Sequence, residues 1–144
     1  MIEGKGNYTE LRKKILSADK PVIFWSLDDE LSRKVLEKED IDVLLIKLSD
    51  RKDFMKQRNS GFNQVLAKIA KKKDVVIGID FDEIVEADDR SKALILARVV
   101  QNIKLCNKNK LNMKFIAQKH NRNVHDLKAL GLVLGMPTWM TKVL

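Results

Sequence analysis

Four short apolar runs recur along the chain: Val22-Ile23-Phe24-Trp25, Val43-Leu44-Leu45-Ile46, Val75-Val76-Ile77-Gly78-Ile79 and Met113-Lys114-Phe115-Ile116. Runs this short, partly β-branched and with little polar alternation, read as strands buried on both faces, the pattern of a parallel sheet. Parallel neighbours need long crossovers, and the intervening stretches supply helical periods. Phe62, Val65, Leu66 and Ile69 stand at i, i+3, i+4 and i+7, with Lys68, Lys71 and Lys72 turned away from that stripe. From about Arg90 to Asn107 the chain is apolar on most sides, as in a helix wedged between a sheet and a neighbour. Further helices are expected near 7–17, 28–38 and 123–134, and Pro137 is preset for the first turn of a last short one.

Strands alternating with helices specify parallel βα units with right-handed crossovers, hence an α/β fold. A complete eight-strand barrel typically needs ~250 residues. With 144 residues and four strong strands, the expectation is a partial or shortened TIM-type barrel. No repeat, linker or low-complexity tract divides the chain, so residues 1–144 are expected to form a single α/β domain.

No run approaches the ~18 apolar residues that cross a bilayer, and Met1-Ile2-Glu3-Gly4-Lys5 lacks the apolar centre of a signal peptide. A cytoplasmic protein with no membrane partner is expected. The lone Cys106 excludes an internal disulfide or a cysteine zinc site and reads as core filler.

Charge is unevenly spread. The net charge of +8 attracts polyanions without naming one. Residues 51–73 carry eight basic side chains and one acid, Asp53, and residues 104–128 carry seven and one acid, Asp126. Between them the sign reverses, with seven acids and the single base Arg90 in residues 74–90.

In Arg58-Asn59-Ser60-Gly61-Phe62-Asn63, Ser60 is suited to N-cap the basic helix, and Gly61 lacks the side chain that would keep a ligand off the backbone. Free helix N–H groups beside the Arg58 fork would make an anion cradle. The plainer alternative is that Ser-Gly only starts a helix. Ile79-Asp80-Phe81-Asp82-Glu83 ends a strand, where ligands of parallel α/β folds gather, and its carboxylates suit Mg²⁺ or Mn²⁺ with His120 or His125 assisting. Two histidines are few for that chemistry, so Asp82, Glu83, Glu86, Asp88 and Asp89 are read as charging and capping the N-terminus of the Arg90 helix. His120 and His125 read as surface loop residues, and Trp139 with Met136 and Met140 as core. Phe54 and Phe62 are the only aromatics in the basic run 51–73, which does not indicate a stacking-type single-strand binder. Glycine-rich nucleotide motifs and the Gly-x-Ser-x-Gly elbow are absent from the sequence.

Arg58-Asn59-Ser60-Gly61-Phe62-Asn63-Gln64-Val65-Leu66-Ala67-Lys68-Ile69-Ala70 resembles the signature of the ribonuclease P protein component 3 family of archaea and eukaryotes. The flanks agree in order and spacing: Ile41–Leu45 before it, Val75–Phe81 after it, an Arg-led helix from Arg90 ending in Lys104–Lys110, and a closing His125–Met136. The resemblance spans about residues 21–136. Members usually begin with extra strand and helix units, so the chain resembles an N-terminally shortened one. The family's Ser-rich strand end appears as Ala117–His120, and Asp80 and Asp82 replace uncharged or basic residues.

The resemblance implies a non-catalytic protein subunit of ribonuclease P, whose catalytic RNA removes the 5′ leader of precursor tRNA. The implied partners are ribonuclease P RNA, precursor tRNA and a component-2-type small protein. No cofactor is implied for the chain itself, Mg²⁺ being used by the RNA. The candidate RNA-binding residues are Arg58, Asn59, Ser60, Gly61, Lys68, Lys71, Lys72, Lys73, Arg90, Lys104, Lys108, Lys110 and Lys128. No catalytic or metal-ligating residue is assigned. The alternatives are a metal-dependent phosphoesterase using Asp80 and Asp82, and a stand-alone RNA-binding scaffold protein.

Overall fold

The computed structural model describes residues 1–142 and 144. Its strands are β1 (Ile2–Glu3), β2 (Ile23–Trp25), β3 (Val43–Ile46), β4 (Val76–Asp80) and β5 (Met113–Ile116). The helices are α1 (Tyr8–Ser17), α2 (Asp29–Lys38), α3 (Gln64–Lys73), α4 (Phe81–Glu86), α5 (Asp89–Lys108), α6 (Val124–Leu134) and α7 (Thr138–Thr141). All strand pairs are parallel, in the order β1-β2-β3-β4-β5.

Strand order that follows chain order, with a helix in every crossover, is the winding of a barrel and not of a doubly wound sheet, whose order reverses. Here β1 and β5 stand at opposite edges without pairing to each other, so the sheet is an open arc, a partial TIM-type barrel. Its helix-facing side carries Phe24, Leu44, Ile46, Ile77, Ile79 and Met113, which pack with Leu11, Ile15, Val35, Leu36, Ile95, Val99, Ile103 and Cys106 into one apolar core. Met136 and Met140 are buried in the same core and Trp139 packs against it, as the sequence indicates. On the opposite face, a Cβ added to Gly78 would lie 3.0–3.2 Å from Val43, Leu45 and Ile116 side chains. Glycine there lets three strands' side chains converge.

The helices start and stop for local reasons. Asn7, Asp28, Asn63, Asp80, Asp88 and Asn123 each accept backbone N–H bonds as N-caps of α1 to α6 in turn. Asp74 and Gly135 end α3 and α6 in the left-handed conformation. Two elements were not legible in the sequence. β1 is two residues long. α4 occupies residues assigned to the approach of the Arg90 helix, because Asp80 caps a turn of its own before Asp88 caps α5.

Candidate nucleic-acid interface

The phosphate cradle does not form as the sequence indicated. Asn63, and not Ser60, caps the basic helix, its Oδ1 accepting from Leu66 N–H at 2.9 Å. Ser60 is instead buried: its hydroxyl donates to the Phe62 carbonyl at 3.2 Å, and its own carbonyl accepts from Asn102 Nδ2 at 3.0 Å. Gly61 has φ +69°, and a Cβ there would lie 2.5 Å from the Arg51 guanidinium and 2.8 Å from Ile46. The missing side chain makes room for protein, not for a ligand. Helix α3 begins at Gln64, so its N–H groups lie beyond the Ser60-Gly61 turn that was to present them to Arg58.

The segment linking β3 to α3 is nonetheless firmly positioned. Arg98, buried within α5, donates to the carbonyls of Asn59 (3.0 Å) and Arg51 (2.8 Å) and to Asp53 Oδ1 (3.0 Å). Gln101 Nε2 donates to the Arg58 carbonyl at 3.2 Å. Asn59 is half-buried, its N–H given to Asp53 and its side-chain amide to the Lys52 carbonyl. The Asn59 N–H and then the Arg98 guanidinium hold the Asp53 carboxyl below the usual carboxylate range, with Arg58 adding to the pull. Arg58 itself is exposed.

From Arg58 a basic strip continues along two helices. Gln101, Lys104 and Lys108 stand at i, i+3 and i+7 on α5, one stripe that starts at the Arg58 backbone. On α3, Gln64, Lys68 and Lys71 form the matching stripe. The two are joined by a reciprocal amide pair between Gln64 and Asn109 at 2.9 and 3.1 Å, and by the Lys71 ammonium donating to the Lys110 carbonyl at 3.0 Å. Lys110 places its ammonium 5.6 Å from the Trp139 ring centroid. Arg58, Lys68, Lys71, Lys104, Lys108 and Lys110 are therefore brought together, and Lys72 is exposed on the same α3.

Three expected members leave the group. Lys73 reaches back to α2 and donates to the Glu37 (3.2 Å) and Glu39 (3.0 Å) carbonyls, a C-terminal cap. Arg90 stands at the other end of α5, fourteen residues before Lys104, or about 21 Å of helix. There its charge and N–H act on the Asp88 carboxyl, which Ser91 and Arg90 hold low. Lys128 is half-buried on α6, and among the described residues no hydrogen bond or ion pair ties it to the strip.

At the carboxyl ends of the strands lies a second, different feature, a cleft of about 1050 Å³ lined by Trp25, Leu45, Lys47, Asp80, Glu83, Arg98 and Ile116 among others. Most of its charges are matched internally. The Lys47 ammonium bonds the buried Asp80 carboxylate and lies 4.6 Å from the Trp25 ring centroid. Glu83 accepts the Leu48 N–H at 2.7 Å; burial pushes its carboxyl up, against the pull of Ser49 and of that N–H. Burial also pushes up on Asp82, but N–H bonds from Gln118, His120 and Lys119 outweigh it and hold the carboxyl low. His120 is half-buried, its Nε2 3.1 Å from Glu86 Oε1. Among the described residues no three His, Cys, Asp or Glu side chains are grouped to share a metal ion.

Lys47, Arg51 and Arg98 are structural determinants that the sequence reading missed. A lysine directly after a buried strand was visible in Ile46-Lys47, and so was a charge interrupting an apolar helix face at Arg98. Either needs a partner when buried, and neither partner is close in sequence.

No family model matches the chain. Its fold is similar to that of a chain in a cryo-EM structure of archaeal ribonuclease P with mature tRNA, with a TM-score of 0.77 and 22% identity. The match covers 98% of this chain and 61% of that one. It establishes a shared α/β arc of parallel βα units, and this chain spans less than two thirds of the neighbour's length. No helix among the described residues is long and apolar enough to cross a membrane.

Proposed function

We propose that the chain is a protein subunit of ribonuclease P of the component 3 type, supporting the catalytic RNA in removing the 5′ leader of precursor tRNA without doing chemistry itself. Its partners are then that RNA, precursor tRNA and a component-2-type small protein, and the Mg²⁺ belongs to the RNA. The observation that carries this reading is a fold shared over 98% of the chain with a chain of an archaeal ribonuclease P–tRNA structure. The basic strip supports it by presenting cations on a fixed scaffold, the sequence-independent part of RNA binding. A non-catalytic role is supported by the cleft, where the Lys47 ammonium occupies the Asp80 carboxylate that a phosphoesterase would need for a metal ion.

Reconstitution tests it. Adding the chain to ribonuclease P RNA and the component-2-type protein should raise leader removal from precursor tRNA, and the chain alone in Mg²⁺ should cleave nothing. Unchanged cleavage in the reconstituted particle would remove the subunit reading. Cleavage by the RNA-free chain, lost in a folded Asp80→Asn variant, would establish the phosphoesterase instead.

A further inference from the structure

The segment Lys52–Arg58 closes on itself at the edge of the basic strip. Asn59 ties back to Asp53 and to the Lys52 carbonyl, Phe54 N–H donates to the Gln57 carbonyl at 2.8 Å, and Arg98 and Gln101 fasten both ends to α5. At the tip of this fastened loop Phe54 is 63% and Met55 98% exposed. Two adjacent large apolar side chains left in water on a fastened loop gain nothing from the fold itself, and such an exposed apolar pair is suited to a partner. Around them stand Lys52, Lys56 and Arg58, all exposed, while the one acid, Asp53, is engaged inward by Arg98 and Asn59. The outward surface therefore combines a flat aromatic face with three exposed cations, none of which forms an ion pair among the described residues.

We propose that Phe54 is a stacking platform for an unpaired nucleobase, with Lys52, Lys56 and Arg58 receiving the phosphates on either side of it and the α5 stripe of Lys104 and Lys108 receiving those that follow. This rests on the RNA-binding part of the proposed function and adds to it a preference for single-stranded segments. A polyanion alone needs only the cations, and an apolar protein partner needs no ring of cations around the aromatic. A nucleotide strand uses both, because each base has a π-face and each linkage a charge. The loop's fastening means that little ordering remains for binding to offset. The scarcity of aromatics among the basic residues argues against stacking in the sequence; exposure of Phe54, which a sequence does not reveal, changes that reading.

The test uses a labelled oligouridylate of about 12 nucleotides and an abasic ribose-phosphate strand of equal length. Phe54→Ala should lower affinity for the oligouridylate about tenfold and leave the abasic strand unaffected, with the melting temperature unchanged. Phe54→Leu should lose affinity as Ala does, whereas Phe54→Trp should retain it, with tryptophan quenching on saturation beyond that of the wild type. Unchanged oligouridylate affinity in Phe54→Ala, or equal loss on the abasic strand, overturns the platform, and so does full retention by Leu. Those outcomes leave the proposed function standing if Lys104→Gln/Lys108→Gln still weakens binding to both strands. If neither variant changes binding to either strand, both readings fail.

Discussion

The cleft at the strand ends and the strip along α3 and α5 both concentrate charge, yet they spend it differently. In the cleft most charges answer another group of the same chain: Lys47 the Asp80 carboxylate, Asp82 three N–H groups of the 118–120 turn, Arg51 the Asp29 carboxylate at 2.9 and 3.1 Å. On the strip, Arg58, Lys68, Lys104 and Lys108 are exposed, and among the described residues no carboxylate pairs with their side chains. Position in a parallel α/β fold points to the cleft as the ligand site. The distribution of unmatched charge points to the strip. The strand-end groups are thus largely taken up by one another, whereas the cations on the outer helices stay available to a partner.

Lys47→Met should break that division most visibly. It leaves the Asp80 carboxylate, 8% exposed, without its counter-charge and its neighbour Trp25 without the ammonium above its ring. Removing one member of a buried pair costs about 3–5 kcal/mol when both are fully dry, and Lys47, a quarter exposed, lowers that to roughly 2–3 kcal/mol. The melting temperature should fall by roughly 5–10 °C. RNA affinity measured on the folded variant should not move. A loss of affinity with stability intact would put the ligand in the cleft.

Cys106 offers a smaller effect on the scaffold beneath the strip. It is fully buried on the inner side of α5, and burial pushes its thiol up to about 12. A raised folded value means that the group's contribution to stability is complete below ~8.5, the unfolded thiol value, and is lost as pH rises towards about 12. Stability should therefore decline across that alkaline window, and Cys106→Ala should flatten this part of the decline. An aromatic disulfide reagent at mildly alkaline pH should label Cys106 only as fast as the native chain opens. Immediate stoichiometric labelling would show that α5 does not pack as described.

Much of the fold was legible because its signals are local. The runs at 43–46 and 113–116 are strands to the residue, and the helices expected near 7–17, 28–38, 123–134 and from Arg90 to Asn107 form within a residue of those bounds. Their periods and N-caps lie within a few residues of one another. What failed depended on partners distant in the chain. Ser60 looked like a cap because its neighbours suited one, but Asn102 of α5 claims its carbonyl and Asn63 does the capping. Lys73 and Lys71 are two residues apart, yet one faces α2 and the other Lys110. Phe54 and Phe62 sit in the same basic run, and only tertiary packing buries Phe62 in the core while leaving Phe54 in water. Of the candidate site, then, the residue types were readable and their grouping was not.

The α3–α5 strip, starting at Arg58, is the surface we propose for polyanion binding. The most direct measurement is the salt dependence of RNA binding by the wild type and by Arg58→Gln/Lys104→Gln/Lys108→Gln. Each phosphate contact contributes about 0.7 to the slope of log affinity against log salt on a single strand. The triple variant should therefore show a slope shallower by about 2, weaker binding at low salt, and a melting temperature near wild type, since exposed charges contribute well under ~1 kcal/mol each to stability. A slope identical to that of the wild type would contradict the account, because the cations that bind RNA would then lie elsewhere.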